Sequence, residues 1–226
     1  MRETGTAAAG NGRPAIDLWF EFASTYSYPA LMRVGPLAAA AGVTVRYRPF
    51  LLGPLFKAQG WDTSPFVIYP AKGRYMWRDL ERLCADLGLP VVRPPVFPAS
   101  SVLAARVALV GLDAAAAGEA AGKGAGEGAG WGEAFCRAVF RAGLGEGRAI
   151  DDPAVIADLL ARLGVDADAV LAQAATPVAK ARLREETEAA QRLGLFGAPT
   201  LVTADGEIFW GNDRLEQALA WAKRGG

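Results

Sequence analysis

The chain of 226 residues contains no histidine, which removes at once the usual general base of a serine hydrolase and the commonest metal ligand. Ser-His-Asp chemistry is excluded. Only two cysteines occur, Cys84 and Cys136, far apart and outside any metal or redox spacing. Buried free thiols are the favoured reading, a disulfide between them stays open, and a zinc site is disfavoured. Neither charge sign is in excess, since 24 basic residues balance 24 acidic ones. That balance argues against a nucleic-acid partner, which draws on a basic surplus. No apolar run is long enough to span a membrane, and Met1 to Pro14, rich in Gly, Ala and polar residues, lacks the apolar core of a secretory signal. A flexible tail at 1–14 and a cytoplasmic protein are expected. What is present is 52% hydrophobic residues in a chain long enough to bury a sizeable core.

The chain is organised around Ile16 to Leu31. Ile16, Leu18, Phe20 and Phe22 alternate with Asp17, Trp19 and Glu21, so the spacing predicts a strand with one apolar face, ending at Ala23. Ser24, Thr25 and Ser27 then offer hydroxyls able to cap backbone N–H groups, and helical spacing follows through Leu31, Val34 and Leu37. A hydroxyl thus sits where a strand hands over to a helix N-terminus, whose partial positive charge favours an anion. On this stretch alone a helix cap is the favoured reading.

Gly42 stops that helix, and Val43, Val45 and Tyr47 define a second strand closed by Pro49, suggesting a parallel βαβ unit. A short helix is expected within 50–57, then the loop 60–65, then a helix opened by Lys72 and running to Leu87. Pro90 to Pro98 reads as a connector and Ser101 to Leu112 as a helix, while Asp113 to Gly130, nearly all Ala and Gly, reads as a low-complexity loop. Helices follow from Trp131 to Ala142, from Asp152-Pro153, from Asp166 to Ala174, and from Thr176-Pro177 to about Leu193, the last with a charged face expected in solvent. A glycine-rich turn leads into a strand, Asp205-Gly206 makes a hairpin, and Asn212 caps a final helix with Leu215, Leu219 and Trp221 inward.

Ser24-Thr25-Tyr26-Ser27 falls where thioredoxin-like proteins carry Cys-x-x-Cys, with oxygen in place of both sulfurs. The segment resembles the Ser-Pro-Tyr-Ser-Tyr motif of 2-hydroxychromene-2-carboxylate isomerases and of their relatives, the kappa-class glutathione transferases, with Thr25 in place of the usual proline. Two further stretches are similar to that family. They are Gly60 to Phe66 with Pro70 to Asp79, and Trp210-Gly211-Asn212-Asp213-Arg214. The resemblance runs from Ile16 to Lys223, excluding the Ala/Gly loop. It implies an α/β, thioredoxin-like fold with a large all-helical insertion, DsbA-like and kappa glutathione transferase-like. The thioredoxin-like domain would be 15–60 and 176–226, and the helical insertion 61–175.

The resemblance also implies glutathione as cofactor. Lys72 would hold one of its carboxylates, although a lysine before a helix is ordinarily a solvated charge. Ala198, preceding Pro199 in the segment that holds a cis-proline in such folds, would pair its backbone with the cysteinyl residue; sequence alone does not reveal the isomer. Asn212 and Asp213 would take the γ-glutamyl ammonium and carboxylate, against a strong purely structural reading as helix openers. Ser24, with no histidine to deprotonate it, would donate to sulfur and favour thiolate over thiol. Tyr26, Trp61 and Tyr75, with Trp19, Tyr28 and Phe66, could form a flat apolar wall, most of them being core residues on general grounds.

The implied reaction is cis/trans isomerisation of 2-hydroxychromene-2-carboxylate or a related conjugated aromatic acid. Thiolate addition turns a double bond into a single one, rotation follows, and loss of the thiolate restores the double bond. A kappa-like glutathione transferase is the competing enzyme, distinguished by glutathione consumption, and a non-catalytic thioredoxin-like binding module is the alternative of another class. A homodimer rests only on analogy with the family.

Overall fold

The computed structural model describes residues 13–116 and 130–224. The expected tail at 1–14 therefore lies almost wholly outside the described residues, as does most of the Ala/Gly stretch, of which Asp113 to Ala116 belong to a helix.

Strand β1 (Ala15–Phe20), helix α1 (Ser27–Ala41) and strand β2 (Thr44–Pro49) form the βαβ unit, with β1 and β2 parallel from Ala15 opposite Thr44 to Phe20 opposite Pro49. Gly42 closes α1 at φ 68°, a conformation that glycine adopts without a Cβ penalty. Helices α2 (Leu52–Ala58), α3 (Pro65–Ile68) and α4 (Pro70–Asp86) lead into the helical stretch. It comprises α5 (Val102–Ala116), α6 (Trp131–Phe140), α7 (Pro153–Arg162) and α8 (Ala167–Ala175). Long helix α9 (Pro177–Arg192) returns the chain to the sheet. Strands β3 (Thr200–Thr203) and β4 (Ile208–Trp210) pair antiparallel, and α10 (Leu215–Ala222) ends the fold. The sheet order is β2-β1-β3-β4, with β3 antiparallel to β1.

That order corrects the reading of β1 as half-buried. Ile16, Leu18 and Phe20 enter the main core, as the alternation predicts, but Trp19 on the opposite face is only 1% exposed. It packs with Phe50, Leu55, Leu195, Val202 and Ala190 of α9. A central strand covered on both faces buries both sets of side chains.

Capping explains where several helices begin. Asp152, Asp166 and Thr176 each accept a hydrogen bond from a first-turn N–H, of Ala154, Ala169 and Ala179 respectively. Asn212 does not cap as expected. It lies in a short 3₁₀ turn, Asn212–Arg214, and its side chain accepts from Arg33 Nη1 at 3.0 Å. Trp221 is not inward either, being 37% exposed with its Nε1 donating to Asp205 at 2.9 Å. The charged face of α9 is likewise not wholly solvated, because α9 lies against β2. Glu186 is 3% exposed, hydrogen-bonded by Arg182, and has Arg48 Nε 2.9 Å from its second oxygen in an ion pair not aligned for a hydrogen bond.

Helices α5 and α6 cross with no clearance. A Cβ added at Gly132 would lie 2.6 Å from the backbone of Gly111 and Leu112, and one at Gly111 would lie 2.7 Å from the Trp131 ring. Backbone cannot move aside as a flexible side chain can, so Gly132→Ala is expected to lower stability by about 2 kcal/mol through overpacking. Urea unfolding of the two proteins measures this, and an unchanged midpoint would show that the helices separate freely. Among the described residues no helix is long and apolar enough to cross a membrane.

Candidate active site

Between β1 and α1 the chain turns through backbone hydrogen bonds. Ser24 N–H donates to Glu21 C=O at 2.9 Å, Ser27 N–H to Ser24 C=O at 3.2 Å, and Tyr28 N–H to Thr25 C=O at 3.3 Å. The hydroxyls expected as caps are used otherwise. The helix N-cap is Tyr26, without a side-chain bond. Ser24 Oγ donates to the carbonyl of Ala198 at 2.8 Å, Thr25 Oγ1 to the Met76 sulfur at 3.0 Å, and Ser27 Oγ is buried without a partner. The reason lies in the sheet. Because β3 neighbours β1, the residues entering β3 run beside the end of β1, within reach of Ser24. The Ala198–Pro199 peptide is cis.

This turn opens onto a cleft of about 980 Å³ whose lining includes Ser24, Tyr26, Trp61, Lys72, Tyr75 and Ala198. The side chains that sequence reasoning singled out are thus largely brought together. Lys72 is not ahead of its helix but within the first turn of α4. Its ammonium lies 5.2 Å from the Tyr69 ring centroid, and among the described residues it forms no ion pair. An unpaired ammonium at a cleft suits a carboxylate. The Tyr26 hydroxyl is already engaged, donating to Asp79 at 2.8 Å, and burial, then Asp79, hold it above the ordinary phenol range. Tyr75 is exposed and Trp61 half-buried against Phe56. Trp19 and Tyr28 belong to the core instead.

Three expected residues do not line the cleft. Pro199 carries the chain past it, its carbonyl accepting from Gly211 N–H at 2.9 Å. Asn212 is buried and held by Arg33, while Asp213 is exposed and paired with Arg214 at 3.2 Å.

Among the polar residues of the lining that the sequence did not single out, two are bonded to each other. Glu21 and Ser101 are 6% and 5% exposed, and both border the cleft. The Ser101 hydroxyl and, at 3.1 Å, the Ala23 N–H donate to the two Glu21 oxygens. Burial pushes the Glu21 carboxyl up from 4.5 to about 7, and the two hydrogen bonds partly oppose it. Alternation put Glu21 on the same face as Trp19, and a bulky apolar neighbour two residues away was the available hint that this face is covered. Ser101 had no such signal. It stands after a Phe97–Pro98 peptide that is cis, in a segment read only as connector and helix start. The rim was also missed. Phe196 and Trp210 are 49% and 53% exposed and meet edge to face at 5.0 Å. Gly197 permits this approach, since a Cβ there would lie 2.5 Å from Trp210 Nε1.

Both cysteines are free and buried. Burial raises the Cys84 thiol to about 11 and moves Cys136 further in the same direction, so neither is a ready thiolate. The arrangement therefore offers hydroxyl and backbone groups for an anion or an extended peptide, one cation, and aromatic walls, without a nucleophile of its own.

Comparison with known proteins agrees with this fold. The DSBA-like thioredoxin domain matches residues 15–220. A 2-hydroxychromene-2-carboxylate isomerase of Sphingobium xenophagum is 31% identical over 202 residues, 89% of this chain and 94% of that protein. Glutathione S-transferase kappa 1 of Homo sapiens is 28% identical over 207 residues, 89% of this chain and 87% of that one. A solved structure of a 2-hydroxychromene-2-carboxylate isomerase superposes with a TM-score of 0.78 at 29% identity, covering 93% of this chain and 95% of the other.

Proposed function

From the family to which this chain belongs, the DSBA-like thioredoxin proteins and within them the 2-hydroxychromene-2-carboxylate isomerases, we propose that it is a glutathione-dependent cis/trans isomerase of a conjugated aromatic acid. The observation that carries this reading is the Ser24 hydroxyl, 2.8 Å from the Ala198 carbonyl on the wall of the cleft.

Glutathione, when bound, supplies the thiolate that adds to the conjugated double bond and leaves it again. Ser24 donates its hydrogen to the sulfur and stabilises the ionised form, with the N-terminus of α1 reinforcing it. Ala198 offers its backbone to the cysteinyl residue as one rung of a β-type pairing beside Pro199. Lys72 takes a carboxylate. Asp213, exposed just beyond β4, is the acceptor for the γ-glutamyl ammonium, and Asn212, steadied by Arg33, fixes the turn that carries it. Tyr26, Trp61 and Tyr75 provide the flat surface against which a ring is oriented, which is where a protein lacking its own nucleophile contributes most. The substrate class is an intermediate of aromatic-compound degradation. The same reading takes the protein as cytoplasmic, where free glutathione occurs, and by family analogy as a homodimer.

The test is conversion of 2-hydroxychromene-2-carboxylate with glutathione present in catalytic amount. Isomerisation with glutathione fully recovered supports the reading, and stoichiometric loss of the thiol would identify a kappa-like transferase. Absence of glutathione binding would leave a binding module. Lys72→Ala is expected to raise the half-saturating glutathione concentration roughly tenfold, the worth of one exposed charge-assisted contact, with little change in kcat. Steady-state kinetics at varied glutathione checks it.

A further inference from the structure

The isomerase reading leaves one need unmet. Addition to a conjugated acid drives negative charge onto the substrate's carbonyl oxygen, and a chain without histidine must find another group to meet it. Glu21 and Ser101 lie in the wall of the cleft that also contains Ser24. Their hydrogen bond links a strand end to the start of α5 across 80 residues, and neither side chain belongs to the hydrophobic core clusters.

We infer that Glu21 and Ser101 form a proton relay for the substrate's carbonyl oxygen, Ser101 being the group that meets substrate and Glu21 the reservoir behind it. A serine hydroxyl both donates and accepts. With Glu21 ionised, Ser101 donates to it, the direction in which the two side chains are bonded in the structure. With Glu21 protonated the bond reverses, the carboxyl O–H donates to Ser101 Oγ, and the serine's own hydrogen is freed towards the cleft. As charge develops, the Glu21 proton passes to Ser101 Oγ while the Ser101 proton passes to the substrate oxygen. The return step runs backwards, the oxygen giving up its proton and the carboxyl regaining one. Nothing is oxidised or consumed, and no further reactant is needed.

The titration of Glu21 suits such a shuttle, because a group balanced near neutrality both gives and takes a proton. Its influences are burial, Ser101 and the Ala23 N–H. The other ionisable groups of the cleft lining are Tyr26, Asp62, Lys72 and Tyr75, and Arg148 and Asp151 border the adjoining cavity beneath Phe22 and Ala23. None of these figures among the influences on Glu21.

The inference rests on the isomerase reading but is tested first without it. Infrared difference titration of the protein free of glutathione should show one carboxyl band disappearing near pH 7, absent in Glu21→Gln and moved to higher pH in Ser101→Ala, which removes a bond that favours the ionised form. In isomerase assays Glu21→Gln should bind glutathione and form thiolate as the wild type does, with the same rise in rate through thiolate ionisation, yet turn over about 100-fold more slowly and without the descending limb above pH 7 that Glu21 ionisation produces. Glu21→Asp should restore part of the rate. A Glu21→Gln enzyme within about twofold of wild type, or an unchanged limb, overturns the relay while leaving the isomerase reading intact. Failure of the wild type to bind glutathione overturns both.

Discussion

Ser24→Ala should bind glutathione almost as tightly as the wild type and isomerise on the order of 10² to 10³ times more slowly at pH 7. In the proposed reaction most of the ligand's affinity comes from Lys72, the Ala198 backbone and the aromatic cleft walls, and the substitution removes none of these groups, only the hydrogen bond from Ser24 to the Ala198 carbonyl. What is lost is the donor to sulfur. A free thiol titrates at about 8.5, and lowering that by one to two units leaves roughly a quarter to three quarters ionised at pH 7, against about 3 per cent without Ser24. Ionisation alone therefore accounts for roughly 8- to 25-fold, and the remainder reflects a charge left without its donor in a largely apolar cleft. The two parts separate with pH. Above about pH 9 the ionisation part vanishes, so the variant should recover towards the wild type without reaching it. Thiolate absorbance of bound glutathione, followed across pH in both proteins, measures the first part directly. Equal thiolate titrations would remove Ser24 from the role.

Glu21→Gln should stabilise the fold at alkaline pH by about 3 kcal/mol. The native carboxyl titrates near 7 and the unfolded one near 4.5, so between those values the native state holds more protons than the unfolded state. Stability then falls as pH rises, by about 1.4 kcal/mol per unit across that window, and levels off above it. The cost of burying the ionised form is absent below pH 4.5 and complete above 7. Glutamine keeps the shape and removes the ionisation, so the variant should lack this slope. Urea unfolding at pH 5 and pH 8 gives four free energies whose double difference reports the effect. A wild type that loses nothing between the two pH values would show that Glu21 ionises in the native state as easily as in water.

These two residues mark the boundary of what the sequence made readable. Ser24 was found because it sits at a strand-to-helix junction inside a four-residue motif, and Lys72, Trp61 and Tyr75 because longer motifs contain them; such information is local. Asp152 and Thr176 were likewise legible as caps, since a cap bonds residues two or three positions on. Glu21 was not, because its burial comes from Ser101 and from elements remote in the chain. Glu186 repeats the lesson, an acidic residue on a charged helix that becomes interior only because β2 brings Arg48 to it. Trp19 looked polar-facing for want of knowing that β1 is central. Asn212 read as a cap by type and position, yet Arg33 claims its side chain. The isomer of Ala198–Pro199 was open for the same reason.

Under the proposed reaction the hydrogen bond from Ser24 to Ala198 has a bearing on which thiols the site accepts. The Ser24 hydroxyl already has an acceptor in the Ala198 carbonyl. A thiol carried on a peptide brings its own amide N–H to that carbonyl, and in taking it sets the serine free for sulfur. A small thiol without a neighbouring amide, such as 2-mercaptoethanol, has nothing to exchange and finds the donor turned away. On the proposed reading, discrimination between glutathione and simpler thiols follows from that exchange, a password the correct molecule carries in its backbone.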